Sequence, residues 1–347
     1  MAIRDQRVEV IEANRRRSRP TVRRDTLRPL PWAAALLLSL GLMVYTLAQI
    51  VANGPPGVVQ PSVSRALSGA IAFSAGPQPT VTARAAFVFD PDLGFVYYSK
   101  NADVELPMAS CTKIMTALLA VERGNLDQLV TIGSDAAALA APGNSHMGVG
   151  AGERISLRDL LYGLLLPSGN DAAIAIADSI GGSVPQFVAM MNARAQQLGL
   201  AHTHFANPHG LDAAGHYTTA RDLAVLAATA MRVPVLVAIT STHKYVIAKT
   251  ATHKAFTLYS GDDLLAGARS PYPGVIGVKP GFTGDAGYCQ AFAANRHGHM
   301  IVAVVLGEPD WNVRLDDMRK LLDWGFSEES IPPAPPPTPY AYPTPEP

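Results

Sequence analysis

Three short groups of residues in this 347-residue chain have types and spacings suited to nucleophilic chemistry: Ser110-Cys111-Thr112-Lys113, Ser168-Gly169-Asn170 and Lys279-Pro280-Gly281. A serine hydroxyl is a poor nucleophile until a base takes its proton. A lysine serves as that base if desolvation or a nearby positive charge lowers its pKa. At a helix start, residues i and i+3 share one face, so Ser110 Oγ and Lys113 Nζ can meet where the first-turn amides also point. Lys279 could supply the neighbouring charge. Ser168 could relay a proton and Asn170 could hydrogen-bond a substrate amide. Gly281, after a predicted strand, would let an extended peptide approach the backbone, and Lys279 would favour an anionic terminus. Each motif alone also has an ordinary reading: Ser110 as a helix N-cap, Lys113 as a solvated helix lysine, S-G-N as a turn with Asn170 or Asp171 capping the next helix, and Lys279 entering a P-G turn.

The elements that must hold these groups follow from periodicity. Ala85–Phe89 and Phe95–Ser99 are β-rich runs around Asp90-Pro91-Asp92-Leu93-Gly94, a hairpin composition. Ile114, Met115, Leu118 and Leu119 continue a helical pattern from Ser110, which implies a largely buried helix. Helical segments continue to about Met231, including 157–166, 171–180 and 184–198. Strands return at 275–279, 288–295 and 300–306, followed by a helix over 311–324. Strands at both ends of a helical middle predict one sheet assembled from distant parts of the chain.

Outside this region, Arg4, Arg7, Arg15, Arg16, Arg17, Arg19, Arg23, Arg24 and Arg28 crowd the first 29 residues, although the net charge of the chain is zero. They precede Trp32–Ala52, which carries no charge and is as long as the about 20 residues that cross a bilayer. The expectation is a membrane anchor with a cytoplasmic N-terminus and the remainder outside, the alternative being a cleaved signal. The basic residues lie on this tail rather than among aromatics on a folded body, which speaks against nucleic acid as a partner. The expected organisation is a basic tail (1–29), an anchor (30–52), a Gly/Pro/Ser-rich flexible linker (53–80), a catalytic domain (81–328) and a proline-rich tail (329–347). Only two cysteines occur, Cys111 and Cys289, either bridged or as two buried thiols.

S-x-x-K, S-x-N and K-x-G in this order match the signature of penicillin-binding proteins and class A β-lactamases. PMASCTKIMTALLA (107–120) resembles the P-A-S-x-T-K-I-M-T block of the serine D-Ala-D-Ala carboxypeptidases, the low-molecular-mass penicillin-binding proteins. LLYGLLLPSGNDAA (160–173), HTHFANPHGLD (202–212), HYTTARDLA (216–224) and GVKPGFTGDAGYC (277–289) resemble further blocks, over about 81–326. The resemblance implies an α+β fold of the penicillin-binding-protein/β-lactamase type, an antiparallel sheet packed with helices plus an inserted helical subdomain. It implies that Ser110 attacks the carbonyl between two D-alanines of a peptidoglycan stem peptide, Lys113 is the general base and Ser168 assists proton transfer to the leaving amine. Asn170 would orient the peptide and Lys279 bind its carboxylate. The amides of Ser110 and Phe282 would form the oxyanion hole, with Gly281 beside them. β-Lactams would be covalent inhibitors, and neither cofactor nor metal is required.

Two departures stand out. Pro280 occupies the place of a family threonine whose hydroxyl helps hold the carboxylate, which leaves Lys279 and a neighbour such as Thr283. Tyr259-Ser260-Gly261-Asp262-Asp263-Leu264-Leu265 replaces an N-T-N-x-L-L segment, with a structural consequence expected. A D,D-endopeptidase or β-lactamase on the same fold is the alternative enzyme, and a catalytically weak wall-binding scaffold the alternative outside enzymes. His202, His204, His209 and His216 near Asp212 raise a zinc-peptidase reading, but their spacing fits no H-E-x-x-H pattern.

Overall fold

A computed structural model describes residues 77–329. The expected basic tail, the anchor, most of the linker and the proline-rich tail beyond Glu329 lie outside the described residues. Strands β1 (Ala85–Phe89) and β2 (Val96–Lys100) precede a 3-10 turn (Ala109–Thr112) and helix α1 (Lys113–Arg123). Then come β3 (Leu129–Thr131), α2 (Ser134–Ala138), β4 (Arg154–Ser156), α3 (Leu157–Leu165), α4 (Asn170–Gly181), α5 (Val184–Gln197), α6 (Ala220–Ala230) and α7 (Pro234–Thr240). The chain continues through β5 (Lys244–Ile247), β6 (Phe256–Tyr259), β7 (Val275–Thr283), β8 (Gly287–Arg296), β9 (His299–Glu308) and α8 (Trp311–Glu328).

The main sheet has the order β2-β1-β9-β8-β7 and is antiparallel throughout. Its centre joins the two ends of the domain, with Phe87 opposite Val304 and Val88 opposite Ala303, as the distribution of β-rich runs predicts. These strands read as continuous apolar runs because both faces are covered. Along β9, Val302, Val304 and Leu306 face the cluster built with α1, α4 and α6, while Ile301, Ala303 and Val305 pack with Leu315, Met318, Leu322 and Phe326 of α8. Helices on one face and α8 on the other clamp the sheet.

Helix α1 runs through the middle of the larger cluster, and every residue from Lys113 to Ala120 is buried. Ile114, Met115, Leu118 and Leu119 are at most 1% exposed, and each contributes about 1.5–3 kcal/mol by leaving water. A site carried at the start of this helix therefore sits on one of the most immobilised parts of the molecule. Ser110 does not cap the helix: it lies inside the 3-10 turn that feeds α1, and neither that turn nor α1 has a side-chain cap. In a 3-10 turn residues i and i+3 eclipse, which draws Ser110 and Lys113 together. Among the described residues no single helix is long and apolar enough to cross a membrane.

Candidate active site

One wall of a cleft of about 330 Å³ is built around Ser110. Lys113 Nζ donates to Ser110 Oγ (3.0 Å), Asn170 Oδ1 (2.8 Å) and the His209 carbonyl (2.5 Å). Two of these partners, an amide oxygen and a carbonyl, can only accept, whereas the serine hydroxyl can also donate. A neutral amine fits the same positions, with two N–H groups on Asn170 and His209 and its lone pair toward the Ser110 O–H. Complete burial, and then the charge of Lys279, push the Lys113 ammonium well below the ordinary lysine value. The geometry and the electrostatics therefore converge on a lysine able to take the serine proton.

Backbone strain and a hydrogen-bond chain hold that pair. Ala109, immediately before Ser110, has φ 48°, and Ser168 has φ 64°; both are left-handed conformations costing a non-glycine residue on the order of 1–3 kcal/mol. Thr112 Oγ1 donates to the Ala109 carbonyl and lies 2.7 Å from His216 Nε2, while His216 Nδ1 accepts from the Ala206 amide. With Nδ1 accepting, Nε2 carries the hydrogen, and burial keeps His216 neutral, with its pKa lowered to about 4. His209 is lowered to about 4 for the same reason. A Cβ at Gly210 would stand 1.9 Å from the Ala109 carbonyl oxygen, so only glycine permits this approach.

Asp171, fully buried at the start of α4, accepts from the amides of Met147, Gly148, Val149 and Ala172. It fastens the 145–149 loop to the helix that carries Asn170, whose own amide donates to the Ser145 carbonyl. With Oδ1 of Asn170 held by Lys113, its Nδ2 group remains for a substrate carbonyl. Ser168 Oγ is buried without a hydrogen-bond partner in the lining of the same cleft.

The opposite wall is β7, the edge strand of the main sheet. Lys279, Pro280 and Gly281 lie inside this strand and not, as expected from sequence, at its end, because Val275–Thr283 pairs continuously with β8 apart from one bulge near Ile276. A proline is tolerated there because an edge strand has one unpaired side. Gly281 is required: a Cβ on it would come 2.7 Å from the Ser110 amide nitrogen. Phe282 is 55% exposed at the mouth, with its ring 4.4 Å from that of Tyr288.

This wall carries cations whose hydrogen-bonding groups are largely unused. Lys279 is 1% exposed, its Nζ reaches the Pro280 carbonyl at 3.2 Å, and burial lowers its pKa to about 8. Arg314, near the start of α8, lines the cleft fully buried, and none of its three side-chain nitrogens has a hydrogen-bond partner. Its guanidinium stands 4.1 Å from the Trp311 ring centroid, a cation–π contact that holds the group but leaves its N–H edge unused. Behind it, Asp262 accepts from the Leu264 amide and from Gln290 Nε2, while its Oδ2 is buried unpartnered. Burial pushes the Asp262 carboxyl up to about 6 against the pull of Arg314 and Lys279. The segment that departs from N-T-N-x-L-L thus places a titratable acid behind the cationic wall.

Ser110, Ser168, Asn170, Lys279, Gly281 and Phe282 all line the cleft, and Lys113 lies directly beneath Ser110. Thr283 is not free to replace the missing threonine: its hydroxyl donates to Asp212 Oδ1 at 2.6 Å and accepts from the Ala286 amide. Cys111 and Cys289 are buried free thiols, the first pushed up to about 11 by burial, so the two do not form a bridge. Sequence reasoning missed Arg314, and it missed that Asp171 holds the 145–149 loop. An arginine between the apolar positions of a helix carries no local signal of its destination, whereas Asp171 following S-G-N was legible as a cap.

Known proteins share this sequence pattern and fold. The D-alanyl-D-alanine carboxypeptidase profile of peptidase family S11 matches residues 72–310. D-alanyl-D-alanine carboxypeptidase DacF of Bacillus subtilis is 36% identical over 71% of this chain and 62% of its own length. A D-alanyl-D-alanine carboxypeptidase of Streptomyces sp. strain K15 is 35% identical over 75% of this chain and 92% of its own length. The chain therefore spans under two thirds of the Bacillus relative but nearly all of the Streptomyces one. The crystal structure of the Streptomyces K15 DD-transpeptidase superposes with a TM-score of 0.68 at 34% identity, covering 73% of this chain and all of that one. A penicillin-binding protein homolog from Mycobacterium tuberculosis gives 0.67 at 33% identity, covering 73% of this chain and 95% of that one. With the motifs in order on this fold and the profile matched over more than half its length, the chain belongs to the D-alanyl-D-alanine carboxypeptidase family.

Proposed function

We propose that the protein is a serine D-Ala-D-Ala carboxypeptidase that removes the terminal D-alanine of peptidoglycan stem peptides. The observation that carries this reading is the buried Lys113 amine 3.0 Å from Ser110 Oγ, facing two under-compensated cations across one cleft. The peptide lies along the open edge of β7, as an added strand. Its terminal carboxylate meets Lys279 and Arg314, the latter supplying the grip that Pro280 lacks; charge-assisted bonds of this kind contribute about 1.5–3 kcal/mol. Asn170 Nδ2 donates to a substrate carbonyl.

Lys113 then takes the Ser110 proton as Oγ attacks the scissile carbonyl, and the amides of Ser110 and Phe282 hold the developing oxyanion. The proton passes to the departing D-alanine amine with the help of Ser168, whose unpartnered hydroxyl is available for the relay. Water hydrolyses the acyl-enzyme by the reverse proton path. β-Lactams, which present a strained amide and a carboxylate in the same relation, acylate Ser110. The related Streptomyces protein is called both carboxypeptidase and DD-transpeptidase, and the same acyl-enzyme given an amine instead of water performs the transfer. Trp32–Ala52 with its arginine-rich flank supports a membrane anchor that leaves this domain outside the cytoplasm.

The test is D-alanine release from a D-Ala-D-Ala peptide and labelling by fluorescent penicillin, using the full chain in detergent beside Ser110→Ala. We expect both signals in the wild type and neither in the variant. A wild type that neither releases D-alanine nor labels is a scaffold, one that destroys the drug rapidly is a β-lactamase, and release that is accelerated by an added amine but yields a transfer product marks a transpeptidase.

A further inference from the structure

The end of the sheet away from the cleft gathers three side chains that the proposed peptidase reaction does not use. Asp90 closes β1, His299 opens β9 after the β8–β9 turn, and Glu329 follows the last residue of α8. One potential ligand atom from each lies within 4.8 Å of the others. Asp90 is 1% exposed, and its Oδ1 accepts from the amides of Asp92 and Leu93, which pins the carboxyl and leaves Oδ2 toward the cluster. The Glu329 side chain is 6% exposed and is oriented by Tyr97 Oη, which donates to Oε1 at 2.8 Å.

The remaining oxygen, Glu329 Oε2, is buried without a directed hydrogen bond, although His299 Nδ1 stands only 2.8 Å away. Two buried carboxylates side by side repel unless a proton or a cation stands between them, and a half-exposed imidazole supplies at most one positive charge. We propose that Asp90, Glu329 and His299 form a divalent-cation site of zinc type, with open coordination on the solvent side of His299. An imidazole nitrogen and two carboxylate oxygens at bond lengths of about 2.0–2.2 Å place neighbouring ligand atoms about 3–3.5 Å apart, so small adjustments of side chains whose ligand atoms now lie between 2.8 Å and at most 4.8 Å apart assemble the site.

The site is separate from the peptidase cleft. Gln290, beside Asp262, and Arg296, at the turn that leads to His299, lie six residues apart on the same strand, about 20 Å at the usual rise. Its effect is mechanical: it ties the C-terminal end of α8, whose first turns carry Trp311 and Arg314, to β1 and to the β8–β9 turn. Because Tyr97 orients Glu329 from β2, three strands and the helix meet at one ion.

The test is calorimetric titration of chelator-treated full-length protein in detergent with Zn²⁺, with Mg²⁺ as contrast, for the wild type, His299→Ala and Glu329→Gln. His202→Ala, which removes an exposed histidine beside Glu105, controls for adventitious histidine binding, and circular dichroism checks folding. We expect one Zn²⁺ per chain in the wild type and in His202→Ala. In the other two variants binding should weaken at least about tenfold, with loss of the zinc-dependent rise in melting temperature. No stoichiometric zinc in the wild type, or undiminished binding in either His299→Ala or Glu329→Gln, overturns the proposal.

Discussion

The two walls of the cleft solve opposite problems. On the helical wall the reacting amine has a partner for each of its bonds: Lys113 reaches Ser110, Asn170 and His209, while Thr112 and His216 brace the turn beside it. On the sheet wall the polar groups are left wanting, with Arg314 unpaired, Lys279 bonded only to the next residue's carbonyl, and Asp262 half satisfied. Chemistry requires preorganisation, since a base out of place is no base. Binding an anion requires uncompensated charge, since a cation already paired has little left to offer a substrate. The lysine is therefore tuned before substrate arrives, whereas the charge of the sheet wall is completed by it.

The largest effect should come from breaking the helical wall. Lys113→Met keeps the length of the side chain but removes the base, and acylation by fluorescent penicillin should fall by about 10²–10⁴-fold. In the wild type the acylation rate should rise with pH as Lys113 loses its proton, and that titration should lie well below the ordinary lysine range because burial and Lys279 disfavour the charged form. A rate that rises only at the pH of a free lysine would remove the distinction between the walls.

Breaking the sheet wall should act on binding instead. Arg314→Leu is expected to raise KM for a D-Ala-D-Ala peptide by about 10–100-fold, with a smaller change in kcat. Adding Pro280→Thr to that variant supplies the absent hydroxyl and should recover a few-fold of the loss. Steady-state kinetics distinguishes the outcomes: a fall confined to kcat would place Arg314 among the groups acting on the reaction and not on the grip.

The smallest effect concerns Asp262. Its carboxyl is held up to about 6 by burial, with Arg314, Lys279 and Asp263 as its charged neighbours. Below that pH it is neutral and no longer offsets the two cations, so KM for the anionic peptide should fall several-fold between about pH 7 and pH 5. The sign follows because Lys279, lowered only to about 8, stays charged over that range. Asp262→Asn should flatten this dependence, and an unchanged KM–pH profile in the variant would show that the acid does not govern the wall.

Much of the helical wall is legible in the sequence, because its logic is local. Ser110 and Lys113 are three residues apart, Ser168 and Asn170 flank one glycine, and apolar periodicity marks the helix beneath them as buried. The sheet itself is legible from β-rich runs at both ends of the domain. The strained turn at Ala109, its support by His216 and Gly210, and the loop fastened by Asp171 are less visible, since each joins segments far apart in the chain.

The order of the three motifs, the choice of Ser110 and Lys113 as the proposed nucleophile and base, and, through the family resemblance, the absent hydroxyl at Pro280 are all legible in the amino-acid sequence alone. What stands in that hydroxyl's place is a matter of tertiary structure. Thr283, the near neighbour in sequence, spends its hydroxyl on Asp212, while Arg314 reaches the cleft because α8 packs its apolar side across the sheet and so brings its first turns to the cleft lining. The lowered pKa values of Lys113 and Lys279 are of the same kind. Burial is a property of the assembled core, and no residue carries it along the chain.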